Sequence, residues 1–116
     1  MPYKDTSDPR QKIAQKKYYE ANKDLYKSHR DRIRSEIQQF IGQYKESRGC
    51  TDCGVHYPAV VLDLDHLPGT EKLCNPSQLV HKGSWSLVHS ELAKCEVVCA
   101  NCHRLRTQQR QASVAQ

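Results

Sequence analysis

The sequence predicts a small α+β fold, in which a long helical arm precedes a compact core. The chain has 116 residues, which is enough for one domain with a modest hydrophobic core. Its first part has helical periodicity, whereas its later part alternates short β-branched stretches with short helical patterns. Apolar residues make up only 37% of the chain, so hydrophobic burial alone gives a thin margin of stability. Domains of this size usually need an additional crosslink.

Two helices are predicted in the arm. Asp8-Pro9 is a typical helix start, because aspartate caps the first turn and proline fits its first position; helix formers continue to about Asn22. A second helix is predicted from Asp24 to Ser47, where apolar residues recur at steps of three and four. Its apolar face comprises Ile33, Ile37, Phe40, Ile41 and Tyr44. We therefore assign residues 1–48 to the arm.

The formal positive charge is concentrated in the arm. Residues 1–49 contain twelve lysines and arginines against seven acidic residues, and residues 50–116 contain six of each kind. A basic segment of this sort is typical of proteins that bind nucleic-acid phosphates, and a solvated helix face is the alternative. We expect ordinary packing for the interleaved tyrosine rings. The predicted nucleic-acid contacts are Lys16, Lys17, Lys23, Lys27, Arg30, Arg34, Arg104 and Arg106.

The core is predicted to occupy residues 49–110. Gly49 is typical of a left-handed cap that ends a helix. Residues 59–66 are β-branched and apolar at first and then alternate, which predicts a strand with Asp63 and Asp65 on one face. Pro68-Gly69 ends this strand.

Short elements are predicted after the strand. Asn75-Pro76-Ser77-Gln78 is typical of a capped helix start, and Gly83 ends that helix. Ser84 can cap a further helix with Trp85, Val88 and Leu92 on its apolar side. A short apolar stretch at residues 96–98 leads into a last helix that opens near Cys99. The polar residues 111–116 are predicted to form a flexible tail.

Two Cys-x-x-Cys pairs provide the candidate crosslink. Cys50, Cys53, Cys99 and Cys102 match a four-thiolate zinc site on two turns, and structural zinc contributes directly to folding. Cys74 and Cys95 lack such partners, and we expect buried or free thiols there. The first twelve residues contain no apolar segment typical of secretion, so we expect a cytoplasmic protein with reduced thiols. No apolar stretch approaches the ~20 residues that a membrane span needs.

A second group of residues points to hydrolysis. Asp65 and His66 end the predicted strand, and His103 directly follows the last zinc cysteine. Zinc ties these two regions together, so the three side chains can meet. A carboxylate and one imidazole can hold a divalent ion in an open shell, which leaves the second imidazole free to activate water. Such a site can hydrolyse phosphodiesters.

At these residues the sequence resembles the HNH endonucleases, in particular small phage and prophage members. The matching segments are Cys50-x-x-Cys53, Leu62-Asp63-Leu64-Asp65-His66 and Val97-Val98-Cys99-Ala100-Asn101-Cys102-His103-Arg104. The resemblance covers residues 44–107. It implies a zinc-stapled ββα-metal (treble-clef) core after the basic helical arm, located in the cytoplasm of a bacterial or phage-infected host cell. It also implies a metal-dependent endonuclease that nicks or cuts double-stranded DNA.

The same resemblance assigns roles to the site residues. His66 corresponds to the general base, and Asp65 and His103 correspond to ligands of the catalytic metal. Lys94 stands where many members place their middle asparagine, so Asn75 and Asn101 are candidates to replace it. Thr107 stands where several members have a further histidine ligand. With fewer protein ligands, we expect Mg²⁺ or Mn²⁺ at the catalytic site.

Two other classes of function remain open from the sequence. One is a zinc-stapled module that binds nucleic acid without catalysis, and the other is an interaction protein without either activity. The presence of Asp65, His66 and His103 together favours the enzyme. The sequence does not choose between a monomer and a homodimer.

Overall fold

The computed structural model describes residues 8–115. Within them the chain forms five α-helices and one pair of antiparallel strands. Among residues 8–115, none of the helices combines the length and the hydrophobicity that a membrane span requires. The elements in chain order are α1 (Pro9–Ala21), α2 (Lys23–Arg48), β1 (Leu62–His66), α3 (Leu79–Lys82), α4 (Trp85–Leu92), β2 (Cys95–Cys99) and α5 (Ala100–Ala115).

The chain divides into two compact units between Ile33 and Arg34. The first unit, in its described part, contains α1 and the beginning of α2. Asp8 caps α1 by accepting a hydrogen bond from the backbone N–H of Arg10, as predicted. No residue of α1 is buried, so burial contributes little to its stability. Residues 1–7 of the predicted arm lie outside the described residues.

The second unit begins inside α2, at Arg34. The sequence analysis placed the boundary between arm and core later, after residue 48. Ile37 and Ile41 are both buried in this unit, and they belong to the apolar stripe predicted for the helix. Residues 34–48 are therefore part of the core unit, because their buried face packs there. Gly49 ends the helix with a φ of 67°, the left-handed conformation that the sequence predicted.

Strands β1 and β2 form a two-stranded antiparallel sheet. Leu62 is paired with Cys99 at one end and His66 with Cys95 at the other. Asp63 and Asp65 share one face of β1, as the alternation predicted. The strand begins later than expected, because Ala59–Val61 form a 3-10 turn after Pro58.

The segment between the strands contains the two short helices. Ser84 caps α4 by accepting from the N–H of Leu87, and Gly83 ends α3 with a φ of 65°, both as predicted. Asn75 makes no side-chain capping bond, and Pro76–Gln78 form a 3-10 turn before α3. Helix α5 runs to Ala115 and thus includes residues 111–115 of the predicted flexible tail; residue 116 lies outside the described residues.

Candidate metal centre and adjoining cleft

Four cysteines form a cluster where α2, β2 and α5 meet. Cys50 and Cys53 lie in the turn after α2, Cys99 ends β2, and Cys102 lies in the first turn of α5. One sulfur atom from each lies within 4.8 Å of the other three. Sulfur atoms that share one zinc ion at about 2.3 Å are roughly 3.8 Å apart. The predicted grouping is therefore confirmed, and the cluster can hold a metal ion such as zinc.

Backbone geometry prepares these thiols for a metal. The N–H of Cys53 donates to Cys50 Sγ, and the N–H of Cys102 donates to Cys99 Sγ, each at 3.4 Å. Burial alone would raise the pKa of Cys50, but backbone N–H groups, that of Cys53 foremost, outweigh it and lower this pKa to about 6. The thiol of Cys99 has the opposite effect on Cys102 and raises its pKa to about 12. Thiolate is the form that binds metals, so Cys50 is the thiol whose backbone contacts favour that form, and the set of four sulfur donors fits a zinc ion.

His103 lies between the two aspartates of β1. Its Nδ1 is 3.1 Å from Asp63 Oδ2, and its Nε2 is 3.6 Å from Asp65 Oδ1. A histidine that binds a metal through one ring nitrogen commonly donates its other N–H to a carboxylate. The bond to Asp63 thus orients the ring so that Nε2 faces Asp65. The structure brings together the two residues predicted to hold the catalytic ion.

Two arginines of α5 bind the carboxylate of Asp65. Arg106 donates to Oδ2 at 2.8 Å, and Arg110 donates to both oxygens at 2.9 and 2.8 Å. Burial alone would raise the pKa of Asp65, but these hydrogen bonds outweigh it and hold the pKa below its usual range. Arg106 and Arg110 therefore neutralise the charge of Asp65 without a metal ion.

The ion pairs of Asp65 with Arg106 and Arg110 occupy a residue that is predicted to bind the catalytic metal. Within residues 8–115, the cysteine cluster is the one group of three or more such donors close enough to share an ion. Asp65 and His103 offer a carboxylate and an imidazole, which is chemistry that suits a divalent ion. Arg110 is 40% exposed, so it is the partner of Asp65 that such an ion has to displace.

His66 faces a different partner from its neighbour Asp65. Its Nε2 lies 3.1 Å from Oε1 of Glu91 in α4, because successive side chains of β1 point to opposite faces. Asp65, His66 and His103 nevertheless line one cleft of about 970 Å³. The predicted catalytic residues therefore share a cavity, although the hydrogen bond of the His66 ring goes to Glu91 and not to Asp65 or His103.

Basic and polar side chains line the same cleft. Burial lowers the pKa of Lys45, and the nearby charge of Asp63 offsets part of this effect. Lys72 and Arg110 also line the cleft. Of the two candidate replacement asparagines, Asn75 lines the cleft and Asn101 is an exposed residue of α5. The cavity thus combines carboxylates, imidazoles and cations.

Glu91 is the main site residue that the sequence did not reveal. It is fully buried beside Val88 and Leu92 in α4. The available signal was its position: Glu91 lies three residues after Val88, within the predicted apolar stripe of the helix. A charged residue at such a position needs buried partners. Lys94 is one of them, since its Nζ lies 2.6 Å from Glu91 Oε2.

The predicted nucleic-acid contacts are placed in different environments. Lys16, Lys17, Lys23, Lys27 and Arg30 are exposed. In the second unit, Arg104 is exposed, whereas Arg34 donates to the carbonyl of His81 at 3.0 Å. Arg106 is paired with Asp52, Asp65 and Glu96 and is only 15% exposed. Arg106 is therefore engaged within the protein itself, and the role of all eight in binding stays a prediction.

Comparisons with protein-family models, with curated proteins and with solved structures find no match to this chain. The resemblance to HNH endonucleases therefore stays a prediction from the motifs quoted above.

Proposed function

We propose that this chain is a metal-dependent DNA endonuclease of the HNH type. The observation that carries the proposal is the cleft in which His66, His103 and Asp65 lie together with basic side chains. Imidazole, carboxylate and cationic groups around one cavity are what the hydrolysis of a phosphodiester requires. The proposed core is a zinc-stapled treble clef, supported by the antiparallel strands, the helix α5 and the four-cysteine cluster.

In this proposal the two histidines have different roles. Asp63 accepts from His103 Nδ1, so His103 Nε2 and the Asp65 carboxylate can hold a Mg²⁺ or Mn²⁺ ion. Such an ion supplies Lewis-acid stabilisation of the charge that develops on the phosphate. His66 takes the proton from the attacking water as general base. Lys45 and Lys72 attract the phosphate into the cleft through their positive charge.

The experiment that tests the proposal is a nicking assay on supercoiled plasmid. The protein is stripped of weakly bound ions, its zinc content is verified, and Mg²⁺, Mn²⁺, Zn²⁺ and Ca²⁺ are added back singly. His66→Ala should lose nicking by the roughly 10²–10⁴-fold that a general base contributes, with the fold and zinc content kept. His81→Ala is the matched control, because His81 is exposed and outside the cleft lining. Nicking by His66→Ala at the parent rate would contradict the proposed mechanism.

The ligands should behave differently from the base. In Asp65→Asn or His103→Ala, activity should fall together with the affinity for the catalytic ion, and high Mn²⁺ should restore part of it. Zinc at the cysteines should be unchanged, because neither residue belongs to that cluster.

One observation favours a second candidate, a zinc-stapled nucleic-acid-binding module without catalysis. Asp65 already has two arginine partners, so its charge is neutralised without a metal. This candidate gains if the parent protein binds DNA but cleaves under none of the four metals. A protein that neither binds nor cleaves DNA would instead be an interaction protein.

A further inference from the structure

Glu91 is a buried carboxylate in contact with the ring of His66. Its side chain has no exposed surface, and both of its oxygens are hydrogen bonded. Oε1 lies 3.1 Å from His66 Nε2, and it accepts from the N–H of Leu73 at 3.0 Å and from the N–H of Cys74 at 3.2 Å. Oε2 accepts from Lys94 Nζ at 2.6 Å. An isolated buried charge is costly, so this set of partners is what allows a carboxylate at this position.

The ionisation state of Glu91 decides which nitrogen of His66 carries a proton. The hydrogen bond from Lys94 is the largest cause that lowers the pKa of Glu91 to about 2, and it outweighs burial, which would raise it. An ionised carboxylate only accepts hydrogen bonds. The ring nitrogen that faces it, Nε2, therefore has to be the donor. In the neutral ring the lone pair is then on Nδ1, and Nδ1 is the nitrogen available as a base.

The loop after β1 shares the same acceptor. The N–H groups of Leu73 and Cys74 bind the oxygen that His66 binds, and the neighbouring residues Lys72 and Asn75 line the cleft. Lys94 also donates to the carbonyl of Glu71 at 2.7 Å. One buried carboxylate thus fixes the imidazole and the polar border of the cleft together.

We infer that Glu91 is the positioning residue for His66, selecting the tautomer in which Nδ1 is the proton acceptor and holding the ring in the cleft. The catalytic consequence of this inference rests on the proposed nuclease function, whereas the tautomer itself does not. Residues that orient a functional histidine typically matter by roughly 10 to 100-fold in activity. That is the loss of nicking we expect when the acceptor is removed.

The test is nitrogen NMR of the His66 ring in the zinc-loaded protein, followed up to a pH of about 9 so that the neutral ring is observed. Long-range ¹H–¹⁵N spectra distinguish the protonated ring nitrogen from the unprotonated one. The parent should show protonated Nε2 and unprotonated Nδ1. Glu91→Gln keeps a carbonyl acceptor and should keep that tautomer in part, whereas Glu91→Leu should populate both tautomers. Lys82→Met is the matched control, because Lys82 is exposed and outside the cleft lining, so this variant should keep the tautomer.

The outcomes separate this inference from the proposed function. A parent ring with protonated Nδ1, or an unchanged tautomer in folded Glu91→Leu, overturns the inference even if the parent cleaves DNA. The expected tautomer in a parent that never cleaves leaves the positioning role supported and contradicts the nuclease. If Glu91→Leu does not fold, the parent spectrum and Glu91→Gln decide. Protonated Nε2 in the parent, kept in part in Glu91→Gln, supports the inference, and protonated Nδ1 in the parent overturns it.

Discussion

Arg110 forms a two-pronged ion pair with Asp65, in which Nη1 lies 2.9 Å from Oδ1 and Nη2 lies 2.8 Å from Oδ2. A guanidinium bound in this way occupies the lone pairs that a divalent ion would use. Arg110 is 40% exposed, so it can leave its partner at modest cost. A divalent ion would therefore have to compete with the Arg110 guanidinium for the carboxylate of Asp65.

Arg110→Met should raise the affinity for Mn²⁺, because Asp65 loses its competing cation. We expect a change of roughly tenfold, which corresponds to about 1.4 kcal/mol, measured by calorimetric titration of Mn²⁺ into zinc-loaded protein. Arg104→Met is the control, since Arg104 is an exposed residue of the same helix. Equal Mn²⁺ affinity in the parent and in Arg110→Met would argue against an ion at Asp65.

Cys99→Ser should release the structural metal and unfold the second unit. Cys99 is buried in the cluster, and structural zinc sites of this kind supply folding free energy directly. Elemental analysis and circular dichroism measure the two effects. Cys95→Ser should keep both metal and fold, because Cys95 is outside the cluster. Folded parent protein without metal would contradict this prediction.

Ile37→Ala should destabilise the second unit by roughly 2–5 kcal/mol, the usual cost of truncating a fully buried isoleucine. Ile37 has no exposed surface, whereas Ile13 in α1 is 56% exposed. Ile13→Ala should therefore change the free energy of unfolding by less than about 0.5 kcal/mol. Urea unfolding of both variants measures the difference. Similar costs for the two would mean that α2 does not form part of the core.

Removal of residues 1–33 should weaken DNA binding and reduce its dependence on salt. The described part of this unit carries exposed lysines and arginines, and each phosphate contact that is lost lowers the salt slope by about 0.9. The measurement is a DNA-binding titration of the parent and of the truncated protein at several salt concentrations. The truncation leaves the residues of the cleft in place. An unchanged slope would indicate that the arm serves contacts other than those with DNA.

Local sequence patterns predicted the parts of the fold that local physics determines. The glycine cap at Gly49, the cap at Ser84 and the shared face of Asp63 and Asp65 each depend on a few adjacent residues. The cysteine spacing likewise predicted the cluster, because two such pairs have few other uses in a reduced protein.

The contacts that the sequence did not reveal join residues that are distant in the chain. Arg110 and Asp65 are 45 residues apart, and His66 and Glu91 are 25 apart. Arginines on a helix have many possible acidic partners, and only the packing of α5 beside β1 selects one. The division of the chain between Ile33 and Arg34 likewise depends on which residues pack together, which local patterns do not determine.

A metal ion bound by the cysteine cluster would close the segment between the two cysteine pairs into a ring. Cys53 and Cys99 are at the two ends of the segment that contains both strands and helices α3 and α4, so a bound metal would clamp that segment at its two ends. Residues 68–73 on the far side of the ring are exposed. A single proteolytic cut there would leave two fragments joined through shared thiolate ligands and paired strands. Such a nicked protein would stay in one piece until a chelator removed the metal, and the two fragments, prepared separately, would need the metal to reassociate.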